Sequence, residues 1–300
     1  MIAANNDLDL DAMAVALAAS GRYRVLRRLD PRPFIEPPDG SETRLGLFLD
    51  VETTGLDPSR DEIIELAMVP FTYSLDGRIF EIRDAFQTFR DPGRSIPPEV
   101  TAMTGITDEM VAGQIIDPAE VVAVASGAAL VVAHNAAFDR RFAERLSEVF
   151  ATKPWACSMT QIDWGVEGYE GTKLAYLTMG AGFFYERHRA KHDCIAAIEL
   201  LATPLPKAGV PAMAKLLERA RRPNWRIWAE NSPFELKDQL KARGYRWNGD
   251  GTRNPRAWYI DVDDEARERE LTYLRTEVYQ REVYLRVRKI TAYERFSDRS

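Results

Sequence analysis

Residues Arg44 to Leu56, reading RLGLFLDVETTGL, restrict this chain more than any other stretch. Leu45, Leu47, Phe48, Leu49 and Val51 form a dense apolar run interrupted only by Gly46, the signature of a strand buried on both faces of a sheet. Asp50 and Glu52 break that run at its C-terminal end. Side chains two apart on a strand share a face, so the two carboxylates project side by side, about 7 Å apart along the chain. Two buried anions this close repel and call for a cation between them. An ordinary capped strand end accounts for one acid but not for two. Thr53, Thr54 and Gly55 then turn the chain, and glycine at such a turn lets backbone approach a ligand.

Behind this strand, Glu62 to Phe71 and Arg78 to Phe89 are apolar segments joined at Ser74-Leu75-Asp76-Gly77, whose Asp-Gly pair signals a hairpin. The three segments are expected to be neighbouring strands of one sheet. Ile96 to Met110 combines a proline entry, a short helical run and the turn Thr104-Gly105-Ile106-Thr107. Such a turn offers hydroxyls and free amides to a phosphate or a nucleotide terminus, although by itself it is only a loop.

Ala128 to Ala133 is a second fully apolar strand, ended by His134-Asn135. In Ala136 to Val149, Phe138, Phe142, Leu146 and Val149 recur at helical spacing and are expected to pack on the sheet. Asp139 sits near the start of that helix. It is either a solvated first-turn acid favoured by the helix dipole or a group that reaches the end of the central strand. Lys173 to Leu177 is a short helical piece. His188 to Leu201 is an amphipathic helix in which Asp193 falls inside the apolar first half, a poor place for surface decoration. His188 lies five residues earlier, on the entry to the helix. His192 is read as a surface or core histidine.

At 300 residues and 45% apolar content, the chain can bury one substantial core beside a smaller one. No apolar stretch of about eighteen residues or more occurs, and no basic-then-apolar leader opens the sequence, so neither a membrane span nor a secretory signal is expected. Cys157 and Cys194 supply neither a disulfide framework nor a zinc spacing, which suits the cytoplasm. Residues 221–300 hold 18 Lys/Arg against 14 Asp/Glu, net +4, whereas residues 1–220 hold 22 against 32, net −10. An acidic body with a mildly basic appendage suits metal chemistry in one part and polyanion contact in the other.

Asp50-Val-Glu52-Thr-Thr-Gly55, His134-Asn135-Ala-Ala-Phe138-Asp139 and His188-Arg-Ala190-Lys-His-Asp193 resemble, in order and approximate spacing, the three motifs of the DnaQ-like 3′-5′ exonucleases. The match is to the subgroup with a catalytic histidine, which includes the proofreading epsilon subunit of bacterial DNA polymerase III. The similarity covers roughly Leu45 to Ala202, and none of the five catalytic positions departs from the pattern.

The resemblance implies an α/β fold of the RNase H-like kind, with a mixed five-stranded sheet flanked by helices. It implies a metal-dependent 3′-5′ exonuclease working through two divalent ions, Mg²⁺ or Mn²⁺. Asp50, Glu52, Asp139 and Asp193 would be the metal ligands and His188 the general base. Thr53, Thr54, Gly55, Thr104, Gly105, Ile106, His134, Asn135 and Phe138 would contact substrate. The expected partners are single-stranded nucleic acid or 3′ ends, DNA ahead of RNA, and a DNA polymerase or repair protein. The alternative is a non-catalytic nucleic-acid or polymerase-partner module that kept the fold.

The expected division is an N-terminal helix and linker over 1–40, an exonuclease domain over 41–205, a linker helix over 206–223 and a small α+β module over 224–300. Within the first part, Leu8 to Ala19 reads as a helix, Tyr23 to Leu29 as strand-like and Pro31 to Pro38 as linker. In the module, Ser232-Pro233-Phe234-Glu235 reads as a capping box opening a helix that stops at Gly244. Tyr245 to Trp247, Ala257 to Val262 and Tyr284 to Thr291 read as strands, and Asp264 to Tyr279 as a helix. Trp225, Trp228, Trp247 and Trp258, interleaved with arginines, either stack on single-stranded nucleic acid or form the module's core.

Overall fold

The computed structural model describes residues 9–251 and 254–299. Its central strand is Thr43–Thr53, and it lies where the apolar run demanded. On one side it pairs antiparallel with Ile63–Ser74, Asp50 facing Ala67 and Glu52 facing Glu65, until the register shifts at Glu52/Thr53. On the other side Leu130–Ala133 runs parallel to it, and Trp155–Cys157 runs parallel to that strand. The far edge departs from expectation. Arg78 to Phe89 is not one strand but two, Ile79–Ile82 and Phe86–Phe89, both antiparallel to Ile63–Ser74. The polar Arg83-Asp84 break lets the long strand take two short partners in succession, so the mixed sheet has six strands across five positions.

The alternation of the central strand divides the core. Phe48 faces helix Ala190–Ala202 together with Ala67, Val69 and Ile198, whereas Leu47, Leu49 and Val51 face helix Ala136–Leu146 with Val131 and Phe142. Each such fully buried side chain contributes about 1.5–3 kcal/mol. Asp50 and Glu52 follow Phe48 in the alternation, which places them under the first turn of helix Ala190–Ala202. Among the described residues no helix is long and apolar enough to cross a membrane.

Helix Leu10–Ala19 is capped by Asp9 and buries none of its residues, while Leu8 of the expected helix lies outside the described residues. The strand-like segment shrinks to Arg27–Arg28, which pairs with Phe183–Phe184. The proline-rich stretch is more than a linker: Ile35 N donates to Phe80 O and Ile82 N to Pro33 O, covering the edge of the sheet.

After helix Ala212–Arg221 comes a second, antiparallel sheet in the order Arg246–Trp247, Trp258–Val262, Asn224–Ala229, Val287–Ile290. Its central strand, Asn224–Ala229, carries no turn signal or clean alternation and escaped the sequence reading. The capping box is also absent. Pro233 occupies the cap position without a side-chain bond, and a 3-10 turn, Phe234–Leu236, precedes helix Lys237–Ala242. Helix Asp264–Tyr273 continues into a π-helical turn, Leu274–Tyr279. The tail returns to the first sheet: Arg140, wholly buried, donates to the carbonyl oxygens of Ala292, Tyr293 and Arg295, and Trp155 N donates to Ala292 O.

Candidate active site

Asp50 and Glu52 leave one face of the central strand at the point where its register slips, and a bulge of this kind re-aims side chains at a strand end. Asp193, in the first turn of helix Ala190–Ala202, comes down onto that face. One carboxylate oxygen from each of Asp50, Glu52 and Asp193 lies within 4.8 Å of the other two. Asp139 stands outside this triplet but beside it. It is buried, and its Oδ1 accepts the backbone N–H of Val51 at 3.3 Å, between the two strand acids. Of the two readings of Asp139, the structure shows the one that reaches the strand.

Burial, then the charges of Asp139, Asp193 and Glu52, push the Asp50 carboxyl well above the usual range. Burial and the neighbouring Asp193 and Glu65 raise Glu52 to about 8. Burial raises Asp139 to about 7 against the pull of the Val51 N–H, and it raises Asp193 against the Tyr185 hydrogen bond. These acids cannot all ionise without added positive charge. Oxygen-only donors in this number fit hard divalent cations such as Mg²⁺ or Mn²⁺.

His188 stands exposed on the loop before the helix, at φ 62°, and its charge lowers the pKa of Asp193. A left-handed histidine backbone is uncommon and is kept only where its surroundings impose it. His192 is partly buried, with an Nδ1 that finds no hydrogen-bond partner among the described residues.

Three residues that sequence reasoning missed hold this geometry. Tyr185 donates its hydroxyl to Asp193 Oδ1 at 2.6 Å. Glu65, wholly buried opposite Glu52, accepts the Arg189 guanidinium at 3.1 Å and the Ala190 N–H at 3.0 Å, and so ties the start of the Asp193 helix to the sheet. The sequence did contain a signal for it: a glutamate inside the apolar run Ile63-Ile64-Glu65-Leu66 needs a buried partner.

The expected substrate residues divide. Asn135 is exposed at the start of its helix, and Phe138 is half-buried against Phe142 with ring centroids 5.0 Å apart. The others have their polar groups engaged within the protein. Thr53 Oγ1 donates to Gly55 O, and Thr54 Oγ1 accepts from the Glu62 N–H and from Arg94. At Gly55 a β-carbon would come within 2.5 Å of the Asp61 carboxylate, so the glycine makes room for Asp61 rather than for a ligand. In the turn expected to offer free groups, those of Thr104 and Gly105 and the Ile106 N–H are engaged within the protein. Thr104 Oγ1 donates to Val100 O and accepts the Ile106 N–H, Gly105 N donates to Thr101 O, and the Ile106 side chain is buried with Ile64 and Val100. His134 is likewise committed: Nε2 donates to Thr172 O at 2.8 Å, Nδ1 meets the Ser158 hydroxyl at 2.9 Å, and burial lowers its pKa to about 4.

Comparison with known proteins identifies the family. The family model RNase_T, described as exonuclease, matches residues 47–201. A PolC-type DNA polymerase III of Clostridium perfringens is 35% identical over 161 residues, 52% of this chain and 11% of that protein. The same enzyme type from Listeria monocytogenes is 45% identical over 97 residues, 31% of this chain and 6% of that protein. The chain thus spans only about a tenth or less of the length of these relatives. Among solved structures, Escherichia coli exonuclease I in complex with a dA16 oligonucleotide superimposes with TM-score 0.50 at 15% identity, covering 78% of this chain and 71% of that one, a likeness of fold.

Proposed function

The chain belongs to the RNase_T exonuclease family, a DnaQ-like family of nucleases, and on that premise we propose that it removes nucleotides from the 3′ end of single-stranded nucleic acid by metal-assisted hydrolysis. The observation that carries this reading is the meeting of Asp50, Glu52 and Asp193, brought from positions far apart in sequence to within 4.8 Å.

Asp50, Glu52 and Asp193 would hold one divalent ion, and Asp50 with Asp139 a second. Bound there, such ions stabilise charge on the attacking and leaving oxygens of a phosphodiester. The chain's own residues do the rest. Tyr185 and the Arg189 N–H each hold one oxygen of Asp193, fixing its lone pairs. The Val51 N–H fixes Asp139. His188, exposed and beside Asp193, takes the proton from the attacking water, a role that suits imidazole near neutrality. DNA is the favoured substrate, because the polymerase relatives and the exonuclease crystallised with dA16 act on or bind DNA. A replication or repair protein is the corresponding partner.

The test is incubation of the protein with single-stranded DNA and RNA of matched sequence, labelled at the 5′ end, with Mg²⁺ and with chelator. The expected result is a ladder shortening one nucleotide at a time from the 3′ end, faster on DNA and abolished by chelator. Immediate release of labelled mononucleotide would reverse the polarity, and hydrolysis that survives chelator would remove the metal from the mechanism.

A further inference from the structure

A wide cavity lies outside the acid cluster. It has a volume of about 780 Å³ and is shared between the exonuclease domain, which contributes Ala137, Arg141 and Gln161, and the C-terminal sheet and tail, which contribute Arg226, Arg246 and Arg295. Ala137 and Arg141 of its wall stand on helix Ala136–Leu146, the helix that also carries Phe138 and Asp139. Its described lining holds five arginines and three aspartates.

The charges are not matched. Asp298 pairs with Arg141, and Asp261 is shared by Arg226 and Arg246. Arg219, from helix Ala212–Arg221, also lines the cavity and has no carboxylate partner among the described residues. Arg295 is more than nine-tenths buried. Its two terminal nitrogens donate to the carbonyl oxygens of Ala220 and Arg222, but its Nε–H has no acceptor among the described residues. Burial and the nearby Arg219 lower its pKa to about 10. In the same wall, Gln161 Oε1 accepts the Cys157 N–H, and its buried Nε2 has no acceptor among the described residues. Buried donors without acceptors cost free energy, and here two of them belong to wall residues that stand beside an unmatched guanidinium. An acceptor-rich anion in the cavity would give the Arg219 guanidinium the partner it lacks.

The aromatic groups of the wall narrow the choice. The Arg226 and Arg246 guanidiniums lie 4.5 and 5.0 Å from the centre of the Tyr259 ring, so that ring is occupied by arginine. Trp228 is buried in the module, and Phe296, the third ring of the wall, is partly buried against the core of the exonuclease domain. The cavity therefore offers guanidinium and amide donors, which read phosphate, rather than open rings, which read bases.

We propose that this cavity is a backbone-phosphate subsite, holding the substrate strand on the 5′ side of the nucleotide being removed. This rests on the exonuclease reading above and adds the place where the C-terminal module meets the strand.

The test uses the full chain in chelator, where binding is separated from cleavage, with a single-stranded oligothymidylate, thymidine 5′-monophosphate and inorganic phosphate as separate probes. Arg295 supports backbone carbonyls and its replacement can unfold the tail, so the variant is Arg219→Gln, with Arg219→Lys as a charge-preserving control and a thermal melt confirming the fold. The expected result is a roughly tenfold weaker affinity for the oligonucleotide in Arg219→Gln, with partial recovery in Arg219→Lys. The slope of log affinity against log salt should become shallower by about one, reflecting one lost phosphate contact. Equal oligonucleotide affinity and equal salt slope in parent and Arg219→Gln overturns the proposal. Arg219-dependent binding of the monophosphate or of inorganic phosphate with oligonucleotide binding unchanged also overturns it, in favour of a free-nucleotide site. A chain that shows the expected Arg219 dependence but cleaves no nucleic acid overturns only the exonuclease reading.

Discussion

Tyr185 donates its hydroxyl to Asp193 Oδ1 at 2.6 Å, while the Arg189 N–H takes Oδ2 at 3.2 Å, so both oxygens of this acid are held before any cation arrives. Loss of an outer partner to a ligating carboxylate typically lowers metal affinity about 10–100-fold. Tyr185→Phe should therefore need about tenfold or more Mn²⁺ to reach half-maximal activity, with turnover restored at saturation. Titration of activity against metal decides the matter, and an unchanged midpoint would show that the hydroxyl does not orient the ligand.

Asp139 hangs from the Val51 N–H between the two strand acids, so it can be altered without emptying the triplet. Asp139→Asn keeps an oxygen to accept that bond and should fold, yet lower turnover by about a thousandfold, as expected when charge stabilisation by a metal site is impaired. Asp50→Ala should be at least as damaging. Single-turnover assays on labelled single-stranded DNA measure both, and normal rates in either variant would remove that acid from the reaction.

The two candidate histidines occupy different environments. His188→Ala should slow turnover by about 10²–10⁴, the usual cost of losing a general base, with substrate affinity largely kept. His192→Ala should leave the rate near that of the parent. The opposite pattern would place the base on His192.

The acid cluster also sets how stability responds to pH. Glu52 and Asp139 have folded pKa values of about 8 and about 7, above their ordinary carboxylate values. The folded state therefore binds more protons than the unfolded one, and the linked stability is fully present below the unfolded pKa and lost as pH rises through the folded values. In chelator, Tm should fall between about pH 5 and 8. Mg²⁺ or Mn²⁺ should raise Tm more at the upper end of that window than at the lower, because there the carboxylates are free of protons. A Tm that climbs through this range in chelator contradicts the raised values.

Glu65 is wholly buried against Arg189, a pair formed across 124 residues. Removing one partner of a buried ion pair strands the other, at a cost of about 3 kcal/mol or more. Glu65→Ala should lower the urea midpoint by a corresponding amount without a change in m, whereas Glu65→Gln, which still accepts the Ala190 N–H, should lose less. Equal stability of Glu65→Ala and parent would show that the Arg189 contact is incidental.

Local rules made much of this protein legible in its sequence. The two-residue alternation of a strand placed Asp50 and Glu52 on one face, and the helical spacing of Phe138 and Phe142 or of Ile195 and Ile198 set the helices that carry Asp139 and Asp193. The order of three short motifs led to the exonuclease family. These features depend on neighbours within one turn or one strand, which sequence states directly.

What only the tertiary structure decided lies in partnerships between distant segments. Nothing local shows that Glu65 takes Arg189, that Tyr185 orients Asp193, or that Arg140 anchors a tail about 150 residues further on. The sequence also could not show that the Thr104 hydroxyl, the Ile106 N–H and the His134 ring nitrogens are engaged within the protein. A hydroxyl, amide or imidazole looks free until the fold supplies its acceptor. The arginine-lined cavity has the same origin: it exists because helix Ala212–Arg221, the C-terminal sheet and the returning tail enclose a space beside the exonuclease domain. Hydrogen bonding and desolvation act through contacts in space, so which polar groups remain for a ligand is settled only once the chain is packed.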